Sequence, residues 1–143
     1  MTNGQAGRIV VGVDGSESSR AALEWAVRQA EMTGSVLELV TAWIWPTTYG
    51  FPLPISPDFQ PAAAATKVLD EAADAVHAER PQLEVRKVVV EGYSAQVLVD
   101  ASKEADLLVV GSRGHGELVG LLLGSVSEHC ATHAHCPVLV LRL

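Results

Sequence analysis

The chain has 143 residues, a formal net charge of −7, and 48% apolar residues against 19% charged. That length suits one domain with a real core, and so apolar a composition excludes a disordered chain. An acidic chain without a basic run attracts neither nucleic acid nor an anionic membrane, so an anionic ligand must be held by local devices such as backbone amides.

The elements follow in a regular order. The segment Met1–Gly7 is polar and carries no signal-peptide core. Arg8–Asp14, RIVVGVD, is an apolar run ending at Gly15, which predicts a strand buried on both faces. Ser16 is placed to cap the next helix; Leu23, Ala26, Val27 and Ala30 form one apolar stripe, and Gly34 closes it. Val36–Ile44 predicts a second strand, broken once by Glu38, which argues for an off-centre place.

Trp45–Pro61 differs in character, with prolines at 46, 52, 54, 57 and 61 and the aromatics Tyr49, Phe51 and Phe59. It reads as a long connection, either a flap over a sheet edge or helix, or a lid beside a ligand. A helix resumes at Ala62, with Leu69, Ala72, Ala73 and Val76 on one face and Pro81 closing it. Val85–Val90 is the third strand. Ser94 is expected to cap a third helix whose inner face is Val97, Leu98, Ala101 and Ala105. Leu107–Val110 is a fourth strand, Ser125–His135 a fourth helix, and Val138–Leu141 a fifth strand.

No stretch approaches eighteen consecutive apolar residues, and Cys130 and Cys136 do not make a disulfide framework, so a cytoplasmic location is expected. Strands alternating with helices imply an α/β fold: an open parallel sheet, right-handed crossovers, helices on both faces. With no internal repeat or linker, residues 1–143 read as a single domain. In such sheets a ligand lies beyond the carboxyl ends of the strands where strand order reverses. The first and fourth strands would flank that point, with carboxyl ends at Gly12–Gly15 and Val110–Gly114.

The segment after the fourth strand reads GSRGHGELVGLLLGSVS, from Gly111 to Ser127, with glycines at 111, 114, 116, 120 and 124. Phosphate binding needs several N–H groups aimed into one concavity, and a helix N-terminus adds more. Ser125 and Ser127 can add hydroxyl donors, while Arg113 and His115 are the local cations. Isolated glycines would merely make turns, but these lie between a buried strand and a helix start. No GK[ST] follows them, so this is not the P-loop of nucleotide hydrolases, and the first strand is followed by GVDGS, not a dinucleotide fingerprint.

Asp14 at the end of the first strand is suited to accept a ribose hydroxyl or to hold Mg²⁺, or simply to close an Asx turn with Gly15 and Ser16. His129, Cys130, His133, His135 and Cys136 are metal-ligand types, and His129 and His133 are four apart on one helix face. Cys130 shares the apolar stripe with Val126, however, so packing is the preferred reading and no metal site is expected.

Gly111-x-x-Gly114, nine residues, then Gly124-Ser125 resembles the G-2x-G-9x-G-[ST] signature of the ATP-binding branch of the universal stress protein family. VGVDGS at 11–16, DLLVVGSRGHG at 106–116 and HCPVLVL at 135–141 agree, so the resemblance runs from about Arg8 to Leu143. Tyr93 and His135 depart from the common pattern, away from the glycine loop. The resemblance implies a Rossmann-like, HUP-type fold: three layers, a five-stranded parallel sheet of order 3-2-1-4-5, and four helices. It also implies a homodimer formed through the last strand and ATP as ligand, with Mg²⁺.

By position, the resemblance puts Gly12, Val13 and Asp14 on the adenosine side and Ala42 near the adenine. Gly111, Ser112, Arg113, Gly114, His115, Gly116 and Glu117 would wrap ribose and phosphates, with Gly124, Ser125, Val126 and Ser127 on the phosphates. The function expected is a nucleotide-dependent sensor or regulator of a stress response, read by an unidentified protein partner. The alternatives are a slow Mg-dependent ATPase or phosphotransferase, a member of the family that binds AMP or cyclic AMP, and, less well supported, an electron-transfer flavoprotein. Efficient catalysis is not expected, because no second carboxylate and no P-loop lysine accompany Asp14, Arg113 and His115.

Overall fold

A computed structural model describes residues 7–45, 47–48, 51–52, 58, 60–113 and 123–142. Its main sheet has five parallel strands: β1 (Arg8–Gly12), β2 (Val36–Trp43), β3 (Val85–Glu91), β4 (Leu107–Gly111) and β5 (Val138–Leu141). Their order is β3-β2-β1-β4-β5, as expected. Four α-helices connect them: α1 (Glu17–Thr33), α2 (Pro61–Glu79), α3 (Ser94–Ala101) and α4 (Ser125–His133).

The period-2 alternation of the strands decides which face each side chain serves. Ile9, Val11, Leu37, Leu39 and Val109 point to one face, where Leu23, Val27, Leu69 and Val76 of α1 and α2 cover them. Val10, Val40, Leu108 and Val110 point to the other, under Val97 and Leu98 of α3 and Cys130 of α4. The split follows from handedness. The chain steps one way from β1 to β3 and back the other way to β5, so right-handed crossovers lay α1 and α2 on one face and α3 and α4 on the opposite one. Burying each Leu or Val contributes roughly 1.5–3 kcal/mol.

Local chemistry sets the element ends. Ser16 caps α1, its Oγ accepting the Ser19 N–H at 3.2 Å, and Gly34 ends the helix at φ 68°, the left-handed region a Cβ disfavours. Pro61 occupies the first position of α2, one residue earlier than expected, because that site has no use for an N–H. Ser94 does not cap α3: the Val97 N–H bonds the Tyr93 carbonyl at 2.9 Å, so Tyr93 is the capping position and Ser94 the first helical residue. α4 stops at His133, two residues short of expectation, because buried Ser102 captures the His135 N–H on its Oγ at 2.9 Å.

β1 ends at Gly12 and not at Asp14, since its pairing with β4 stops at Val11–Val109. β2 ends at Trp43, one residue short of Ile44. Glu38 lies buried in β2, off the sheet centre, with its carboxylate 3.6 Å from the Arg8 guanidinium. Within the Trp45–Pro61 connection, Thr47–Thr48 pairs antiparallel with Phe51–Pro52; Pro46, Tyr49, Pro54, Pro57 and Phe59 lie outside the described residues. Among the described residues no helix is long and apolar enough to cross a membrane.

Candidate functional site

The chain leaves β1 in one direction and returns to β4 on its other side, so the carboxyl ends of these two strands part and open a cleft. Bounded by the described residues, the cleft has a cavity volume of about 90 Å³. One wall is Gly12, Val13 and Asp14; the facing wall is Val110, Gly111 and Arg113; Gly124, Val126 and Ser127 of α4 meet it from the end. Val40 and Ala42 of β2 with Val97 and Leu98 of α3 supply the apolar part.

The first wall is held rigidly. The Val13 N–H donates to the Val40 carbonyl at 2.9 Å, and the buried Thr41 hydroxyl donates to the Val13 carbonyl at 2.8 Å. Asp14 is exposed at the rim, and its Oδ1 accepts the Ser16 N–H at 2.8 Å, closing the Asx turn around Gly15 at φ 81°. The Arg20 guanidinium donates to the Gly15 carbonyl at 2.6 Å and braces the same turn. Gly12 packs closely on α3, since a Cβ there would stand 3.0 Å from the Leu98 side chain.

The facing wall depends on glycine for a reason the sequence did not show. A Cβ on Gly111 would fall 2.7 Å from the backbone C and O of Ser18, at the start of α1. Ser18 Oγ in turn accepts the Arg113 N–H at 3.3 Å, so the first turn of α1 fixes the exit of β4. Ser112 is buried away from the cleft. Its N–H donates to the Leu141 carbonyl at 2.8 Å, and its carbonyl accepts the Ser127 hydroxyl at 3.1 Å. Ser127 also donates to the Gly124 carbonyl at 3.1 Å, so its hydroxyl is spent inside the fold, although the residue borders the cleft.

α4 follows Gly124, whose backbone is extended, and its first turn borders the cleft at Val126 and Ser127. That end offers N–H donors and the positive end of a helix dipole. Arg113 is the one cationic residue lining the cleft among the described residues, and Asp14 the one carboxylate.

Of the fifteen residues expected at the site, Gly12, Val13, Asp14, Ala42, Gly111, Arg113, Gly124, Val126 and Ser127 come together here. Ser112 and Ser125 do not line the cleft, and Gly114, His115, Gly116 and Glu117 lie outside the described residues. Sequence reasoning placed Val110 at the flank of the crevice, passed over Ser19, Ser94 and Val40, and read Val97 and Leu98 only as the inner face of α3. Val40 was findable, since it shares a strand face with Ala42; Ser19 and Ser94 needed the fold.

Residues 6–142 match the family described as universal stress protein. The chain belongs to the universal stress protein family. It is 37% identical over 134 residues to universal stress protein Rv2624c of Mycobacterium tuberculosis, covering 94% of this chain and 47% of that protein. A universal stress protein of Mycolicibacterium smegmatis is 35% identical over 135 residues, with 94% and 45% covered. The chain thus spans about half the length of the curated relatives it matches. Among solved structures, a universal stress protein in complex with cAMP is 31% identical with a TM-score of 0.72, covering 96% of this chain and 97% of that one. The universal stress protein from Lactobacillus plantarum shares the fold at TM-score 0.73 and 22% identity, with 98% and 100% covered.

Proposed function

We propose that this universal stress protein binds an adenine nucleotide in the cleft between β1 and β4, with ATP as the preferred ligand. The observation that carries the reading is the start of α4, where Gly124, Val126 and Ser127 border a switch-point cleft beside Arg113. An acidic chain has no long-range field to draw in phosphate, so a local donor array of this kind must do the holding. The base would lie against Val40, Ala42, Val97 and Leu98, the ribose against Gly12–Asp14, and the phosphates toward Gly124–Ser127. Mg²⁺ accompanying ATP would neutralise phosphate charge while keeping most of its waters, with Asp14 as the carboxylate within the site.

The residues suit holding more than cleaving. Phosphoryl transfer needs a positioned nucleophile and several charges on the moving group, and the described cleft offers one carboxylate and one arginine. We therefore assign a sensor or regulator role in the cytoplasm, in which nucleotide occupancy is read by a partner. Assembly into a homodimer through β5 belongs to the same proposal: all four residues of this edge strand are apolar and partly exposed. The second reading is cyclic AMP as ligand, favoured by the 31%-identical structure solved with cAMP.

Calorimetric titration with ATP, AMP and cyclic AMP tests the assignment. Ser125 does not itself line the cleft but lies between Gly124 and Val126, which do, so Ser125→Asp sets a carboxylate beside the site at a helix start where the dipole tolerates it. The protein is expected to stay as stable while losing ATP affinity at least tenfold and AMP affinity less. Equal affinities of wild type and variant for ATP would remove the phosphates from this end. Tighter binding of cyclic AMP than of ATP would establish the second reading.

A further inference from the structure

The far end of α4 carries a feature that nucleotide binding does not use. His129 and His133 stand one turn apart on its outer side, half-buried and exposed respectively, with ring centroids 4.4 Å apart and planes tilted by 45°. Two imidazole nitrogens that share a tetrahedral metal at roughly 2.0–2.1 Å must lie roughly 3.3 Å from each other. With centroids 4.4 Å apart on one helix face, the two rings need only side-chain rotation, and no backbone movement, to turn one nitrogen each toward a shared ion. Neutral imidazole is a preferred ligand of divalent first-row transition ions. The surroundings favour a cation too: the pair sits in the last half of a nine-residue helix, near the negative end of its dipole, on a chain of net charge −7.

We propose that His129 and His133 chelate one divalent transition-metal ion, such as Zn²⁺ or Cu²⁺, on the outer face of α4. Among the described residues no third His, Cys, Asp or Glu converges on the pair, so water completes the coordination. The chelate closes a ring across one helical turn and holds that turn helical. It thereby stiffens the short helix whose opposite end, at Gly124, Val126 and Ser127, borders the cleft. The site stands independently of the nucleotide reading.

The test is a titration of the nucleotide-free full chain with ZnCl₂, followed by calorimetry and by NMR of the histidine side chains. One ion per chain is expected, with the His129 and His133 ring signals shifting together and those of His77 unchanged. His129→Gln and His133→Gln should each weaken binding at least tenfold. Since His133 is exposed, His133→Gln keeps the fold, which circular dichroism verifies. Undiminished binding in both variants, or no binding at millimolar Zn²⁺, would overturn the proposal. So would ring shifts confined to His135.

Discussion

Gly111 illustrates how a residue singled out for one reason is constrained by another. Its place in a glycine-rich segment pointed to ligand contact, yet what excludes a side chain is the backbone of Ser18, with its C and O 2.7 Å from where a Cβ would sit. Backbone atoms of a helix start cannot step aside as a flexible side chain can. Gly111→Ala should therefore cost about 1–3 kcal/mol of stability by overpacking, measured by urea denaturation without ligand. An unchanged midpoint would show that the wall can yield. The contact joins residues 93 positions apart in the chain, which is why no local pattern announced it. The same holds for Thr41, whose hydroxyl fixes the Val13 carbonyl from a neighbouring strand. Asp14 was more legible, because an Asx turn is written in adjacent residues.

At the scale of elements, the stripe that paired Val126 with Cys130 was readable from helical spacing, and Cys130 is fully buried in the core. Burial pushes its thiol up to about 11 from an ordinary 9.0. Burial, with the Asp106 charge adding to it, moves the Cys136 thiol in the same direction. The sign follows: the folded state keeps its protons over a range where the unfolded chain loses them. Stability from Cys130 is thus full below about pH 9 and declines as pH rises toward about 11. The slope from this one group reaches at most about 1.4 kcal/mol per pH unit. Cys130→Ala should flatten the fall of the urea midpoint over that range relative to wild type. An equally steep fall in the variant would place the titration elsewhere. The ends of elements were less legible than their cores. Whether Ser94 or Tyr93 opens α3, and where α4 stops, depend on single hydrogen bonds to the Tyr93 carbonyl and the Ser102 hydroxyl.

For the whole molecule, a parallel sheet with helices on both faces follows from alternation and handedness, whereas the strand order was legible only through the family resemblance. The exit of β4 was located from that alternation, but the apolar floor of the cleft was not, because α3 reaches it only after crossing the sheet. β5 makes a prediction at this scale. The carbonyls of Pro137 and Leu141 accept the N–H groups of Leu108 and Ser112 at 3.0 and 2.8 Å, so alternate residues Val138 and Val140 turn their backbone groups to the open edge. Val140→Pro removes an outward N–H while sparing the pairing with β4. Light scattering is expected to show a dimer for wild type and a monomer, still folded, for Val140→Pro. A monomeric wild type, or an unaltered dimer in the variant, would move the interface off this edge.

The nucleotide assignment itself is tested most directly by adding ATP to the ¹⁵N-labelled protein and following every backbone amide. Saturable shifts are expected at Gly12, Val13, Asp14, Ala42, Gly111, Arg113, Gly124, Val126 and Ser127, with the groove between α1 and α2 undisturbed. Shifts centred on that groove at Arg28, Ala75 and Arg80, or no shifts at millimolar ATP, would contradict it.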